Sequence, residues 1–154
     1  DQFGGHTFAA GMTLPVENIS AFRLRFEEVV SRKILPDQLI PKIDVDLELS
    51  LSDITPRFFN ILRQMAPFGP GNMTPVFVSR GLQLNRPPYV MKEKHLRLEV
   101  IQEGSQPFAA VVFGGAGYLD ELNESKLFSL CYTLEENEFR GSRTLQLLVK
   151  DIRF

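Results

Sequence analysis

Hydrophobic and polar positions alternate most cleanly between residues 43 and 51, where Ile43, Val45, Leu47, Leu49 and Leu51 are interleaved with Lys42, Asp44, Asp46, Glu48 and Ser50. A period of two sends the two sets to opposite faces, so this segment predicts a half-buried strand. Upstream, Ala9 to Leu14 reads as a short strand ended by Pro15. Ile19, Phe22, Phe26, Val29 and Val30 then recur at three- and four-residue steps, the stripe of an amphipathic helix. Asn18 is its expected N-cap, Arg23, Arg25 and Glu27 take its wet side, and the phenylalanines are expected to pack into a core. A second helix is predicted after Thr55 as cap, with Pro56 at the first position and Phe58, Phe59, Leu62 and Met65 as its apolar stripe. It should stop before Pro67, where Pro-Phe-Gly-Pro-Gly-Asn reads as a stiff, turning connector that sets an angle between two halves, with Phe68 buried.

Beyond that connector the pattern changes to strands. Segments near 76–84, 89–101, 108–114, 128–138 and 143–152 carry β-branched and aromatic residues with partial alternation, as in Leu96, Leu98, Val100 and Leu145, Leu147, Val149. A helical stretch, Tyr118 to Phe128, falls between the third and fourth strands. Five strands with a helix in that place match the order of elements of an OB-fold barrel, with an open antiparallel sandwich as the alternative. The fold class is α+β, with one domain over 1–72 and a five-stranded domain over 73–154, where the choice of a barrel over the sandwich rests in part on the family resemblance given below.

Composition narrows the chemistry. At 154 residues and 44% hydrophobic, the chain can bury a substantial core. Its net charge of −2 argues against a general polyanion binder, so any such role must rest on a local patch. No apolar run reaches membrane-spanning length and no basic leader precedes one, so a soluble, cytoplasmic protein without membrane contact is expected. The single Cys131 cannot form an internal disulfide, and its apolar neighbours suit a packed thiol. His6 and His95 lie far apart with no soft ligand beside them, so no metal site is expected. Asp44 and Asp46 share a strand face, but alternating acids on a solvent face need no ion.

The eight residues Gly4-Gly5-His6-Thr7-Phe8-Ala9-Ala10-Gly11 crowd main-chain amides around an imidazole with little side-chain bulk. Such amides can close on a phosphate, and a histidine adds a donor; a plain glycine turn with a surface histidine is the simpler alternative. The string resembles GGHxxAAG, a signature of the DHHA1 domain of DHH phosphoesterases. Pro67-Phe68-Gly69-Pro70-Gly71-Asn72 with Pro75-Val76-Phe77, then Tyr132 to Gly141 and Leu145 to Arg153, resemble in order and separation the C-terminal part of the RecJ family of single-strand-specific 5′ to 3′ DNA exonucleases. The resemblance runs nearly end to end and implies the end of a DHHA1 half-domain followed by an OB-fold. It assigns Gly4, Gly5 and His6 to gripping the DNA phosphate backbone. No Asp-His-His occurs here. The resemblance thus implies an exodeoxyribonuclease parent acting in DNA repair and recombination, a catalytic DHH domain upstream carrying Mn2+ or Mg2+, and a fragment inactive alone. Starting at Asp1 so close to the glycine motif, the chain reads as a piece cut inside a domain, and an unpaired sheet edge would give a second copy a place to dimerise.

In a barrel of this kind, the second and third strands and the loops between strands one and two and strands four and five form the binding surface. The last loop holds Asn137, Phe139, Arg140 and Arg143: an aromatic to stack on a base and two guanidiniums for phosphate, diluted by Glu135, Glu136 and Glu138. Arg80, Arg86 and Tyr89 belong to the first long hairpin, with 86–89 expected as a loop, and Lys94, His95 and Arg97 lead into the second strand. Together these residues are expected to line one groove for single-stranded DNA. The competing readings are a protein-interaction barrel without nucleic-acid contact, favoured by the acidic balance, and a piece of another DHH-superfamily phosphoesterase.

Overall fold

In the computed structural model, which describes residues 2–7, 9–139 and 141–154, the inward-facing leucines and valines of the second half form a closed sheet. The chain divides into two compact units, Asp1–Ile43 and Asp44–Phe154.

The first unit contains β1 (Gln2–His6), β2 (Ala9–Thr13) and α1 (Ile19–Lys33). β1 and β2 form an antiparallel hairpin with Gly4 opposite Gly11 and Gly5 opposite Ala10. The paired glycines thus lie within a strand and not at a turn. A Cβ on Gly5 would stand 3.0 Å from that of Ala10, so the small residues permit a close cross-strand approach. α1 is entered through a 3-10 turn, Val16–Asn18. Asn18 stands at the N-cap position as expected, but with helical dihedrals and no side-chain cap bond. The expected core packing of this helix is corrected. Phe22 and Phe26 stack with centroids 5.6 Å apart, yet no residue of α1 is buried and Phe26 is 56% exposed. One hairpin and one helix present too little surface to enclose an apolar stripe.

The second unit contains β3 (Leu47–Glu48), α2 (Pro56–Gln64), β4 (Phe77–Met91), β5 (His95–Ile101), β6 (Phe108–Val112), α3 (Leu119–Glu124), β7 (Phe128–Phe139) and β8 (Ser142–Arg153). The strand order is β3-β4-β5-β6-β8-β7, and β7 pairs back onto β4, so a ring closes. β6 and β8 run parallel; the other ring pairs are antiparallel. Five strands, β4, β5, β6, β8 and β7, make the ring, and the two-residue β3 adds to β4 in parallel outside it as a sixth strand of the sheet. One strand serves two neighbours: β4 pairs with β7 up to Leu82 and with β5 from Gln83 onward. The register slips between Ser79 and Leu82, where Gly81 takes φ +65, a conformation that a side chain would strain.

Leu82, Leu96, Val100, Ala110, Leu130, Tyr132 and Leu147 are fully buried inside the ring, and α3 contributes Leu122 to the same core. Leu49, Leu51 and Ile54 join that cluster, with Phe58 and Leu62 of α2 packed against it. The compact boundary therefore falls at 43/44, well ahead of the expected one near Asn72. Thr55 caps α2 as predicted, its Oγ1 accepting from the Phe58 amide at 3.1 Å, with Pro56 in the first turn. The connector at 67–72 is a tight turn inside the second unit and not a joint between halves: Gly69 and Asn72 bridge, and the Asn72 side-chain amide donates to the Met65 and Pro67 carbonyls at 2.9 and 3.0 Å. Phe68 is half-buried there.

The predicted strand at 43–51 is realised over two residues only. β4 starts at Phe77, and the register Leu47↔Phe77 leaves the preceding residues with no strand to pair against. Asp46 instead exchanges bonds with Val76, its amide donating to the Val76 carbonyl and its carboxylate accepting from the Val76 amide, both at 2.8 Å. The predicted strand at 89–101 is broken by a turn with Lys92 and Glu93 at φ +49 and +63.

Candidate nucleic-acid interface

Two long hairpins project from the ring, β4–β5 and β7–β8, and a groove of about 670 Å³ lies against both. Its walls come from Arg86, Pro87 and Tyr89 of β4, Arg97 of β5, Asn137 of β7, and Ser142 and Thr144 of β8. Residues 86–89 are not the expected loop: β4 continues through them, with register slips on either side of Arg86. Pro87 and Pro88 cannot donate to a ladder, so the strand bends away from β5 there and its side chains are redirected. Tyr89 then re-enters the pairing opposite Arg97 and stays 54% exposed.

Electrostatics separates the cations. Arg97 stands on the outer face of β5 between the core residues Leu96 and Leu98, half-buried, and its guanidinium makes no ion pair or hydrogen bond among the described residues. A guanidinium placed in a groove without a carboxylate is available to an incoming anion. Arg86 is held by Glu99 at 2.5 Å, and Glu99 also accepts from the Asn85 side-chain amide at 2.6 Å. Arg80, Arg143 and Lys94 do not line this groove. Arg80 pairs with Glu48 at 3.0 Å, and Arg143 is engaged by Glu138 at 3.1 Å and Glu136 at 3.6 Å. Lys94 sits in the β4–β5 turn, and its carbonyl accepts from the Ala116 amide.

His95 has a structural task. Its Nδ1 accepts from the Gly114 amide at 2.9 Å and Phe113 meets its ring edge-on at 5.1 Å, tying the loop after β6 to the turn end of the β4–β5 hairpin. Arg140 lies outside the described residues, as does the side chain of Phe139. Of the ten residues expected in the groove, the structure thus brings together Arg86, Tyr89, Arg97 and Asn137. Sequence reasoning missed Ser142 and Thr144; Thr144 pairs directly with Asn137, and a hydroxyl next to a turn glycine carries no signal of its own.

At the other end of the chain, Gly4 and Gly5 line a cavity of about 430 Å³ with Phe3, Met12 and Phe22. Those walls are apolar, so a phosphate held by Gly4, Gly5 and His6 would have to approach from the hairpin's other side. Cys131 is half-buried opposite Asp151; burial pushes its thiol up, Asp151 adds to this and Lys150 opposes it. Among the described residues no group of three His, Cys, Asp or Glu could hold a metal ion, and no helix is long and apolar enough to cross a membrane.

Comparison with known proteins agrees with this architecture. Residues 45–151 match the family model described as the RecJ OB domain. The single-stranded-DNA-specific exonuclease RecJ of Escherichia coli is 31% identical over 152 residues, covering 98% of this chain and 26% of the relative. The protein of that name from Bacillus subtilis is 28% identical, covering 97% of this chain and 19% of the relative. The crystal structure of RecJ in complex with Mn2+ from Thermus thermophilus superposes with a TM-score of 0.74 at 22% identity, over 99% of this chain and 22% of that one. This chain thus spans about a quarter of the length of the Escherichia coli relative. With the model matching across the closed ring and its flanking α2, the chain belongs to the RecJ OB domain family.

Proposed function

We propose that the barrel is the single-strand DNA-binding part of a RecJ-type exonuclease, and that the whole protein cuts single strands from the 5′ end in DNA repair and recombination. The observation that carries this reading is the groove in which Tyr89, the unpaired Arg97 and Asn137 converge from three strands. An exposed aromatic ring beside a free guanidinium offers both parts of sequence-tolerant single-strand binding, a stacking face and a phosphate contact; each stacked base contributes about 1–3 kcal/mol. In this reading the first unit is the end of a DHHA1 half-domain, and Gly4, Gly5 and His6 steady the backbone of the incoming strand.

Relatives from Thermus were crystallised with Mn2+ and with Mg2+. The described residues here offer no donor set for such an ion, so we assign metal chemistry to a DHH domain not in this chain, with this chain inactive alone. A cytoplasmic location, docking against that catalytic domain and a dimer of the isolated piece belong to the same proposal.

Fluorescence anisotropy with labelled oligonucleotides tests it. The 154-residue chain should bind single strands in preference to duplex, more weakly as salt rises, because phosphate contacts release counterions. Arg97→Ala should weaken binding several-fold and flatten the salt dependence by about 0.7 in log–log slope, the loss of one phosphate contact. Duplex preference, or affinity unchanged by Arg97→Ala and Tyr89→Ala together, would overturn it. A second reading, a protein-interaction barrel, draws on the carboxylate pairing of Arg80, Arg86 and Arg143, and it predicts that unchanged affinity.

A further inference from the structure

A second groove, of about 540 Å³, adjoins the first along β4. It lies between β4 and the end of α3, and Arg86 and Pro87 line both grooves. Its polar groups are the carboxamides of Gln83, Asn85 and Asn123, the Ser125 hydroxyl and the Lys126 ammonium. Gln83, Asn123 and Lys126 make no ion pair or side-chain hydrogen bond among the described residues, so their donors are uncommitted. Glu121 and Glu124 belong to α3, but neither lines this groove. The chemistry thus repeats that of the first groove without its aromatic: one unpaired cation, with amides able to meet base edges or phosphate oxygens.

Resting on the single-strand-binding reading above, we propose that a bound strand does not end at Arg97 but turns over the Arg86–Pro87 ridge into this second groove, where Lys126 contacts a further phosphate. The ridge suits the turn. Arg86 can serve the phosphate at the bend by exchanging its Glu99 carboxylate for it, and Pro87 has no backbone N–H to compete for that phosphate. A barrel with one groove would have a short site, whereas single-strand sites on OB folds range from about 4 to about 16 nucleotides. Two joined grooves place this protein toward the longer end.

The test compares oligothymidylates of about 4 and about 14 nucleotides on the full chain, with Arg97→Ala and Lys126→Ala as variants. Lys126 is an exposed side chain, so its replacement leaves the fold intact. The expected result is that Lys126→Ala weakens the long oligonucleotide about fourfold near 0.15 M salt, lowers its salt slope by about 0.7, and leaves the short one unchanged. Arg97→Ala should weaken both. If Lys126→Ala changes neither while Arg97→Ala weakens both, the first groove stands and its extension is overturned. An equal loss for both lengths would make Lys126 part of a general field and also overturn it. No binding, or no effect of Arg97→Ala, removes the underlying reading and the extension with it.

Discussion

Glu99 holds two groove residues at once, Arg86 through one carboxylate oxygen and Asn85 through the other. It therefore competes with any phosphate for the Arg86 guanidinium. Glu99→Gln keeps the shape, removes one negative charge and releases Arg86, so oligonucleotide affinity should rise about fourfold and its salt dependence should steepen, measured by anisotropy across a salt series. A second residue-scale case lies inside the barrel. The Ser79 hydroxyl donates to the Leu49 carbonyl at 2.7 Å, so the Tyr132 hydroxyl, also 2.7 Å away, must donate to Ser79. Burial pushes the Tyr132 pKa up to about 12, from an ordinary value of 10.0. The unfolded chain releases this proton first, so stability is intact below pH 10.0 and falls as pH rises toward about 12, by up to about 1.4 kcal/mol per pH unit. Tyr132→Phe should lose that part of the alkaline sensitivity while costing about 1 kcal/mol at neutral pH, because Ser79 keeps its carbonyl partner. Urea unfolding of both proteins between pH 8 and 12 measures the difference.

At the scale of elements, the turn from β6 into α3 depends on two glycines. Gly114 has φ +71, and Gly115 is buried so closely that a Cβ would overlap the Val112 side chain. Gly115→Ala should cost about 1–3 kcal/mol by overpacking, read as a lowered denaturation midpoint. Nothing in the sequence marks Gly115 over its neighbours, because its constraint comes from a side chain that the fold brings over it. The strands of the barrel were legible for the opposite reason: Leu96, Leu98 and Val100 alternate with outward residues in a sheet with one buried face, so local pattern and burial coincide. That agreement fails at 43–51, where the alternation is equally clear but strand pairing depends on where β4 begins. In the groove, Arg97 and Tyr89 were legible as a cation and an aromatic of the first long hairpin. Which arginines would be neutralised was not, because Arg80 meets Glu48 only through a contact between residues distant in sequence.

For the whole molecule, the position of the boundary decides which part can stand alone. Every buried hydrophobic residue among those described lies between Leu49 and Ile152, so the first unit contributes nothing to the core. The connector at 67–72 suggested a division because prolines and glycines cluster there, yet composition cannot reveal that Leu49, Leu51 and Ile54, upstream of it, fill the barrel. Phe58 reaches the same core with its ring edge-on to Phe77 at 5.8 Å. A chain of residues 44–154 should therefore unfold in one cooperative transition with a urea midpoint close to that of the full chain, and should keep oligonucleotide binding, since all groove residues lie within it. A chain of residues 73–154 loses three fully packed aliphatic side chains and α2, each comparable to a large-to-small core replacement of about 2–5 kcal/mol. That sum exceeds the stability of a typical small domain, so the shorter piece should be unfolded at room temperature by circular dichroism. A folded 73–154 piece would mean that the boundary lies at the connector after all, and that the segment carrying Leu49, Leu51 and Ile54 is an addition to a barrel already complete without it.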